Sequence, residues 1–201
     1  MTRPVASIGR YGLLCAAECC AMAVEAPQIG AQVLGSSPTG ATRDHFTSNT
    51  GWGLGVFADW EVGAGKVIRL AYDGIWYPNG GHADAIPGLA ANSYSESDRT
   101  CRSHAFTSQY LYYPSGNREG VYFKVGLGGM KYLTRINTTL NLPGAQGVGL
   151  TVLNESGTKL NMLAGLGYDF NKNWGVNAQY SFITVHGRTL GAVQTGLSYR
   201  F

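Results

Sequence analysis

The chain has 201 residues, of which 44% are hydrophobic and only 13% charged, against about 25% charged in ordinary soluble domains. That length points to one domain, and the absence of any apolar run of about 18 residues after the N-terminal region excludes a membrane-spanning helix. The net charge of +3, with no basic cluster or aromatic-basic stripe, argues against nucleic acid as a partner.

The first element is a leader. Arg3 and Arg10 precede a mostly apolar run from Tyr11 to Val24, followed by small residues, which is the order of a secretory signal. Ala21-Met22-Ala23 fits the small-x-small cleavage pattern best, giving a signal over 1–23 and a mature domain over 24–201. Cleavage after Ala26 is the alternative, disfavoured because Pro27 would follow the cut. Glu18 is an unusual charge for an apolar run, and neither Cys15 nor Cys19 follows a good lipobox. Losing Arg3, Arg10 and Glu18 from the 15 basic and 12 acidic residues leaves 13 and 11, a net +2. Cys15, Cys19 and Cys20 go with the leader, so Cys101 remains as a lone thiol with no disulfide partner. No Cys/His cluster has zinc spacing, and neither metal nor cofactor is expected.

Beyond the leader the apolar residues recur with period two, the signature of strands with one oily face. Strands are predicted near 28–36, 50–60, 66–77, 101–113, 120–132, 158–170, 173–185 and 190–201. The first is short, with Ile29, Ala31 and Val33 on one face. In the second, Trp52, Leu54, Val56, Ala58 and Trp60 oppose Gly53, Gly55 and Asp59. The third sets Ile68, Leu70, Tyr72 and Trp76 against Arg69, Ala71 and Asp73. The fourth is ambiguous, because Phe106, Tyr110, Tyr112 and Tyr113 fall in both phases. The fifth places Val121, Phe123, Val125 and Leu127 opposite Tyr122, Lys124 and Gly126. The sixth and seventh alternate as cleanly, and the last puts Val193, Thr195, Leu197, Tyr199 and Phe201 on one face.

Most runs approach the roughly 9–11 residues that a tilted strand needs to cross a bilayer. Tight turns at 61–65, 114–119 and 171–173 alternate with longer segments at 37–49, 78–100 and 133–157, and a short one near 186–189. Short turns on one side and long loops on the other describe a transmembrane barrel. The segment 133–157 alternates around Pro143-Gly144 and is read as a hairpin outside the membrane. The expected fold is therefore all-β: a closed up-and-down antiparallel transmembrane β-barrel of eight strands, with ten as the competing count.

Three features place the oily face outward, toward lipid. The opposite face is mostly Gly, Ala, Ser, Asn and Gln, whereas a soluble barrel carries Lys and Glu there. Aromatic residues gather at strand ends as a girdle, with Trp60, Phe123, Phe170 and Trp174 at the short-turn rim and Trp52 and Trp76 at the other. Finally, Phe201 is expected to close the barrel with no soluble domain after it.

The ending Gly196-Leu197-Ser198-Tyr199-Arg200-Phe201 resembles the terminal strand of small outer-membrane barrels of the OmpA-like transmembrane and opacity-protein type. The resemblance implies a bacterial outer-membrane location, and it implies that Tyr199 and Phe201 are read by the barrel-assembly machinery. It covers the whole chain in architecture, but this last strand is its only specific motif. The peptidoglycan-binding domain that follows the OmpA barrel is not carried over.

Six charged residues, Asp59, Arg69, Asp73, Lys124, Asp169 and Arg200, share the inward phase and sum to zero charge. An eight-stranded interior is just wide enough for side chains to fill, so these six are expected to pair as an ionic plug. A few charges in a hydrated lumen is the blander alternative. The leading functional expectation is a structural or surface-interaction protein working through its long loops, with an unidentified extracellular ligand. A narrow pore or hydrophobic-solute transporter comes second; Phe57, Ile75, Leu163 and Ile183 point inward but look scattered. A lipid A-modifying enzyme comes third. His186 lacks a nearby serine, His104 and Ser108 lie about 13 Å apart along one strand face, and His45 and His82 sit in loops. No catalytic residue is assigned. Tyr94, Arg99, Arg102 and His104 are either solvated rim residues or contacts for lipopolysaccharide phosphates. A monomer surrounded by outer-membrane lipid and lipopolysaccharide is expected.

Overall fold

Period-two sequences form strands because successive side chains point to opposite faces, and here eight such strands follow one another around a ring. A computed structural model describes residues 26–40, 42, 50–85, 93–143, 145–185 and 187–201. The expected leader over residues 1–23 lies outside them. The strands are β1 (Gln28–Thr39), β2 (Gly51–Gly63), β3 (Lys66–Ala85), β4 (Tyr94–Tyr112), β5 (Gly120–Leu142), β6 (Ala145–Asp169), β7 (Trp174–Val185) and β8 (Arg188–Arg200). Each pairs antiparallel with the next, and β1 pairs with β8 to close the barrel. Eight, not ten, is the count.

Four strands are much longer than the bilayer requires. β1, β2, β7 and β8 have 12 or 13 residues, whereas β3, β4, β5 and β6 have 20, 19, 23 and 25. The β5–β6 ladder runs out to Leu142 opposite Ala145, as expected for a protruding hairpin. The segment 78–100, expected as a loop, is corrected: β3 continues to Ala85 and pairs there with Tyr94 of β4. Past Trp76 the β3 residues have no described β2 partner, and past Asn161 the outer part of β6 has none on β7. Four strands thus leave the ring together as a sheet.

The tight turns carry recognisable local chemistry. Gly65 closes a two-residue β2–β3 turn at φ 64°, where a Cβ would also press on the Tyr113 carbonyl oxygen, so only glycine fits. At 171–173 the Asn171 side-chain oxygen accepts from the backbone N–H of Asn173 and of Trp174, both at 2.9 Å.

The apolar phase faces outward on all eight strands, with Val33, Leu54, Val56, Phe106, Val125, Leu127, Leu160 and Leu166 each more than half exposed. The ambiguous β4 settles with Phe106, Tyr110 and Tyr112 outward; Tyr113 lies just past the strand end and turns inward. The girdle residues Trp52, Phe123, Phe170 and Trp174 are exposed on the outer surface, while Trp60 and Trp76 are half-buried there. Trp52 and Trp76 pack on each other with ring centroids 5.2 Å apart.

Candidate functional site

The inward phase of an eight-stranded ring leaves little room, and these strands fill it in layers. Near the short-turn end, β2 and β3 place Asp59 directly opposite Arg69. Arg69 donates twice to Asp59, from Nε at 2.7 Å and Nη2 at 2.9 Å. Arg200 of β8 bridges two carboxylates, reaching Asp59 Oδ2 with Nε at 3.2 Å and Asp169 Oδ2 with Nη2 at 2.8 Å. Tyr113 donates its phenol to the same Asp169 oxygen at 2.7 Å. Arg118, on the turn between β4 and β5, closes the cluster from below. Its guanidinium contacts Asp59 Oδ2 at 2.6 Å and Glu61 Oε1 at 3.2 Å. Arg69 has no exposed surface at all, and its guanidinium carbon stands 3.9 Å above the centre of the Phe57 ring. Bidentate geometry and a ring face together compensate a charge that water no longer reaches.

All six inward charges predicted from sequence are buried on the lumen side, but they do not form one network. Asp59, Arg69, Asp169 and Arg200 join, with Arg118 added. Asp73 and Lys124 stand apart, each held by a neutral amide. Gln32 donates to Asp73 Oδ1 at 2.6 Å, and Lys124 Nζ donates to Asn177 Oδ1 at 2.8 Å. Further amides continue this layer, with Gln179 donating to Gln194 and Ser181 donating to Asn161 at 2.7 Å. The single six-charge group expected from sequence is therefore corrected to a five-residue cluster and two separate amide-held charges. Sequence reasoning missed Arg118 because a turn residue has no strand phase to reveal its direction.

Two apolar groups flank the polar layers. At the short-turn end Val67, Leu111, Tyr113 and Tyr122 pack together. Tyr122 lies across Gly167, its directly opposed neighbour, so closely that a Cβ there would sit 2.2 Å from the ring. Toward the outer end Cys101, Tyr132, Ile183, Val185 and Leu190 form a second group with Tyr77 and Met130. Ile183 is thus part of a cluster and not one of several scattered residues. A cavity of about 40 Å³ beside this group has Tyr77, Cys101, Tyr132, Ile183 and Leu190 among its lining residues. That is room for little more than one or two waters.

The last strand completes the ring: Phe201 N–H donates to the Ile29 carbonyl at 3.0 Å, and Asn173 Nδ2 donates to the Arg200 carbonyl at 2.8 Å. Tyr199 packs against Trp174 and edge-on against Phe201, which is 74% exposed. A profile of the family described as outer membrane protein beta-barrel domain matches residues 11–201. The chain belongs to that family. Among solved structures, this outer-membrane barrel is similar to Ail, the attachment invasion locus protein of Yersinia pestis. The TM-score is 0.55 at 16% identity, covering 87% of this chain and 97% of that one. It is also similar to the N-terminal β-barrel domain of Pseudomonas aeruginosa OprF, with TM-score 0.53, 14% identity and coverage of 87% and 97%. At such identities the likeness is one of fold. No curated protein matches the sequence. The family and its fold place the barrel in the bacterial outer membrane, with the short turns on the periplasmic side.

The remaining residues singled out in the sequence lie elsewhere. His104 and Ser108 are on the outward face, and His104 Nδ1 shares a hydrogen bond with Tyr72 Oη at 2.8 Å and not with a serine. Arg102 and Tyr94 are exposed, whereas Arg99 is half-buried in the inward phase. His45, His186 and the His82 side chain fall outside the described residues.

Proposed function

We propose that the protein is a non-enzymatic surface-interaction barrel of the outer membrane, with a lumen closed to diffusion. Its working part is the sheet that β3 to β6 carry beyond the ring. The observation that carries this reading is the inequality of strand length. Extra residues in four adjacent strands, paired out to Leu142 and Ala145 through a few register shifts, add nothing to crossing the bilayer. Loops and extensions on a rigid scaffold are where recognition concentrates, and a paired sheet presents its surface at lower entropic cost than a free loop. Ail, the attachment invasion locus protein, shares this fold. The layered lumen supports the closed state: buried arginines hold carboxylates at one end and an apolar group fills the other.

The test is to replace residues 137–152 with a two-residue Asn-Gly turn, which joins β5 and β6 at the opposed pair Ile136 and Leu153. The shortened protein is expected to keep its heat-modifiable migration on a gel and to lose attachment of the expressing bacteria to a host-cell monolayer. Unchanged attachment overturns the reading of the sheet. Steady nanosiemens-scale conductance of the wild-type protein in planar bilayers overturns the closed lumen and favours a narrow pore.

The terminal strand gives a separate expectation. If Tyr199 and Phe201 are read during barrel assembly, Phe201→Ser lowers the amount of folded protein in the outer membrane several-fold. The same variant refolded in detergent should nearly match the wild type, because Phe201 is largely exposed. Pulse-labelling with gel-shift readout separates the two effects.

A further inference from the structure

Most outward positions at membrane depth on β4 and β5 are apolar, including Phe106, Tyr110, Phe123, Val125 and Leu127. Continuing outward in the same phase, the pattern changes to Arg102, His104, Lys131 and Arg135. The registers bring these four side by side: His104 faces Lys131, Arg102 faces Leu133 next to it, and Arg135 faces Thr100. Arg102 is in register with Trp76 of the outer aromatic girdle, so the group sits at the boundary between acyl chains and headgroups.

The charge of this group is not neutralised by any ion pair among the described residues. No carboxylate lies within ion-pair distance of Arg102, Lys131 or Arg135 among the described residues. Arg135 Nε donates only to Asn137 Oδ1, at 3.3 Å. Tyr72 Oη shares a hydrogen bond with His104 Nδ1, and the two rings stack. The nearest outward carboxylates on the same strand are Asp98 and Glu96, further from the membrane. The neighbouring β6 positions Asn154, Ser156 and Thr158 are exposed and neutral, and the outward residues of β1 and β2 at this rim carry no cation. Cations beside hydrocarbon are retained where they meet an anion. At this depth the available anion is a phosphate on the headgroup of an outer-leaflet lipid, which arginine binds through paired donors.

We propose that Arg102, His104, Lys131 and Arg135 on the outward face of β4 and β5 form a binding site for the phosphates of lipopolysaccharide in the outer leaflet. From Lys131 to Arg135 the group spans about 13 Å along the strand, enough to engage more than one phosphate on a single glycolipid. The site lies where the barrel wall meets the base of the protruding sheet, and all four residues remain when 137–152 are removed, so its test is separate from that of the sheet.

The experiment uses the full chain in detergent micelles and measures binding of purified lipopolysaccharide by native mass spectrometry. Its comparators are enzymatically dephosphorylated lipopolysaccharide and phosphatidylglycerol. The wild type is expected to prefer the phosphorylated glycolipid to both. The triple variant Arg102→Gln, Lys131→Gln, Arg135→Gln is expected to bind it on the order of a hundredfold less tightly, roughly fivefold for each charge removed. Arg188→Gln, at the exposed start of β8, should bind as the wild type does. Equal binding by the triple variant overturns the proposal. So does equal wild-type binding of the dephosphorylated glycolipid or of phosphatidylglycerol, a comparison that decides even if the triple variant fails to fold.

Discussion

Replacing Asp59 with alanine is expected to destabilise the folded barrel by about 3–5 kcal/mol, the cost of leaving buried charges without their partner. Asp59 accepts from three arginines: Arg69, Arg118 and Arg200. Without it, Arg69 keeps only the Phe57 ring, and Arg200 and Arg69 share a dry space with Asp169 as the remaining buried carboxylate of the cluster. Urea unfolding in lipid vesicles checks this, read as a lower midpoint at unchanged slope. Lys124→Met is the informative contrast. Lys124 is equally buried but is hydrogen-bonded to the Asn177 amide, with no carboxylate in ion-pair contact among the described residues. Methionine has similar length and removes a desolvated charge, so its change should stay within about 1.5 kcal/mol. Equal losses in the two variants would mean that ion pairing contributes nothing particular to this interior.

Gly167→Val is expected to cost about 1–3 kcal/mol, through overpacking and not through lost charge. The Tyr122 ring already occupies the space above Gly167, and it cannot swing aside because Tyr113, at a centroid distance of 5.1 Å, Val67 and Leu111 enclose it. Shortening the obstructing ring should therefore restore what the valine takes away. The double variant Gly167→Val, Tyr122→Ala is expected to be more stable than the sum of the single changes, a coupling of about 1 kcal/mol or more. Additive losses in the same urea titration would show that the two positions do not contact each other.

The spanning strands are legible in the sequence because lipid on one side and a crowded lumen on the other enforce strict alternation. Val121 to Leu127 and Trp174 to Phe182 are examples. Where that contrast ends, so does the signal. Residues 94–100 read Tyr-Ser-Glu-Ser-Asp-Arg-Thr, polar in both phases, yet they form the outer part of β4. A strand beyond the bilayer needs no oily face, and its hydrogen bonds come from neighbours that the local sequence does not name. The interior was legible in direction but not in pairing. A two-residue turn at Ala64-Gly65 read alone would set Asp59 opposite Leu70. The irregularity between Glu61 and Gly63 shifts the ladder by one residue and brings Arg69 there instead.

The ionic cluster draws its members from separate parts of the chain: Asp59 and Arg69 from the second and third strands, Asp169 from the sixth and Arg200 from the eighth. Until the final strand arrives, Asp169 has only a phenol for company, and the seam between first and last strands stands open to acyl chains. Arg200 therefore supplies the ion-pair partner of Asp169 in the same step that closes the ring. A chain short of its last strand carries a buried carboxylate without its ion-pair partner, an electrostatic handicap that the finished cylinder does not have.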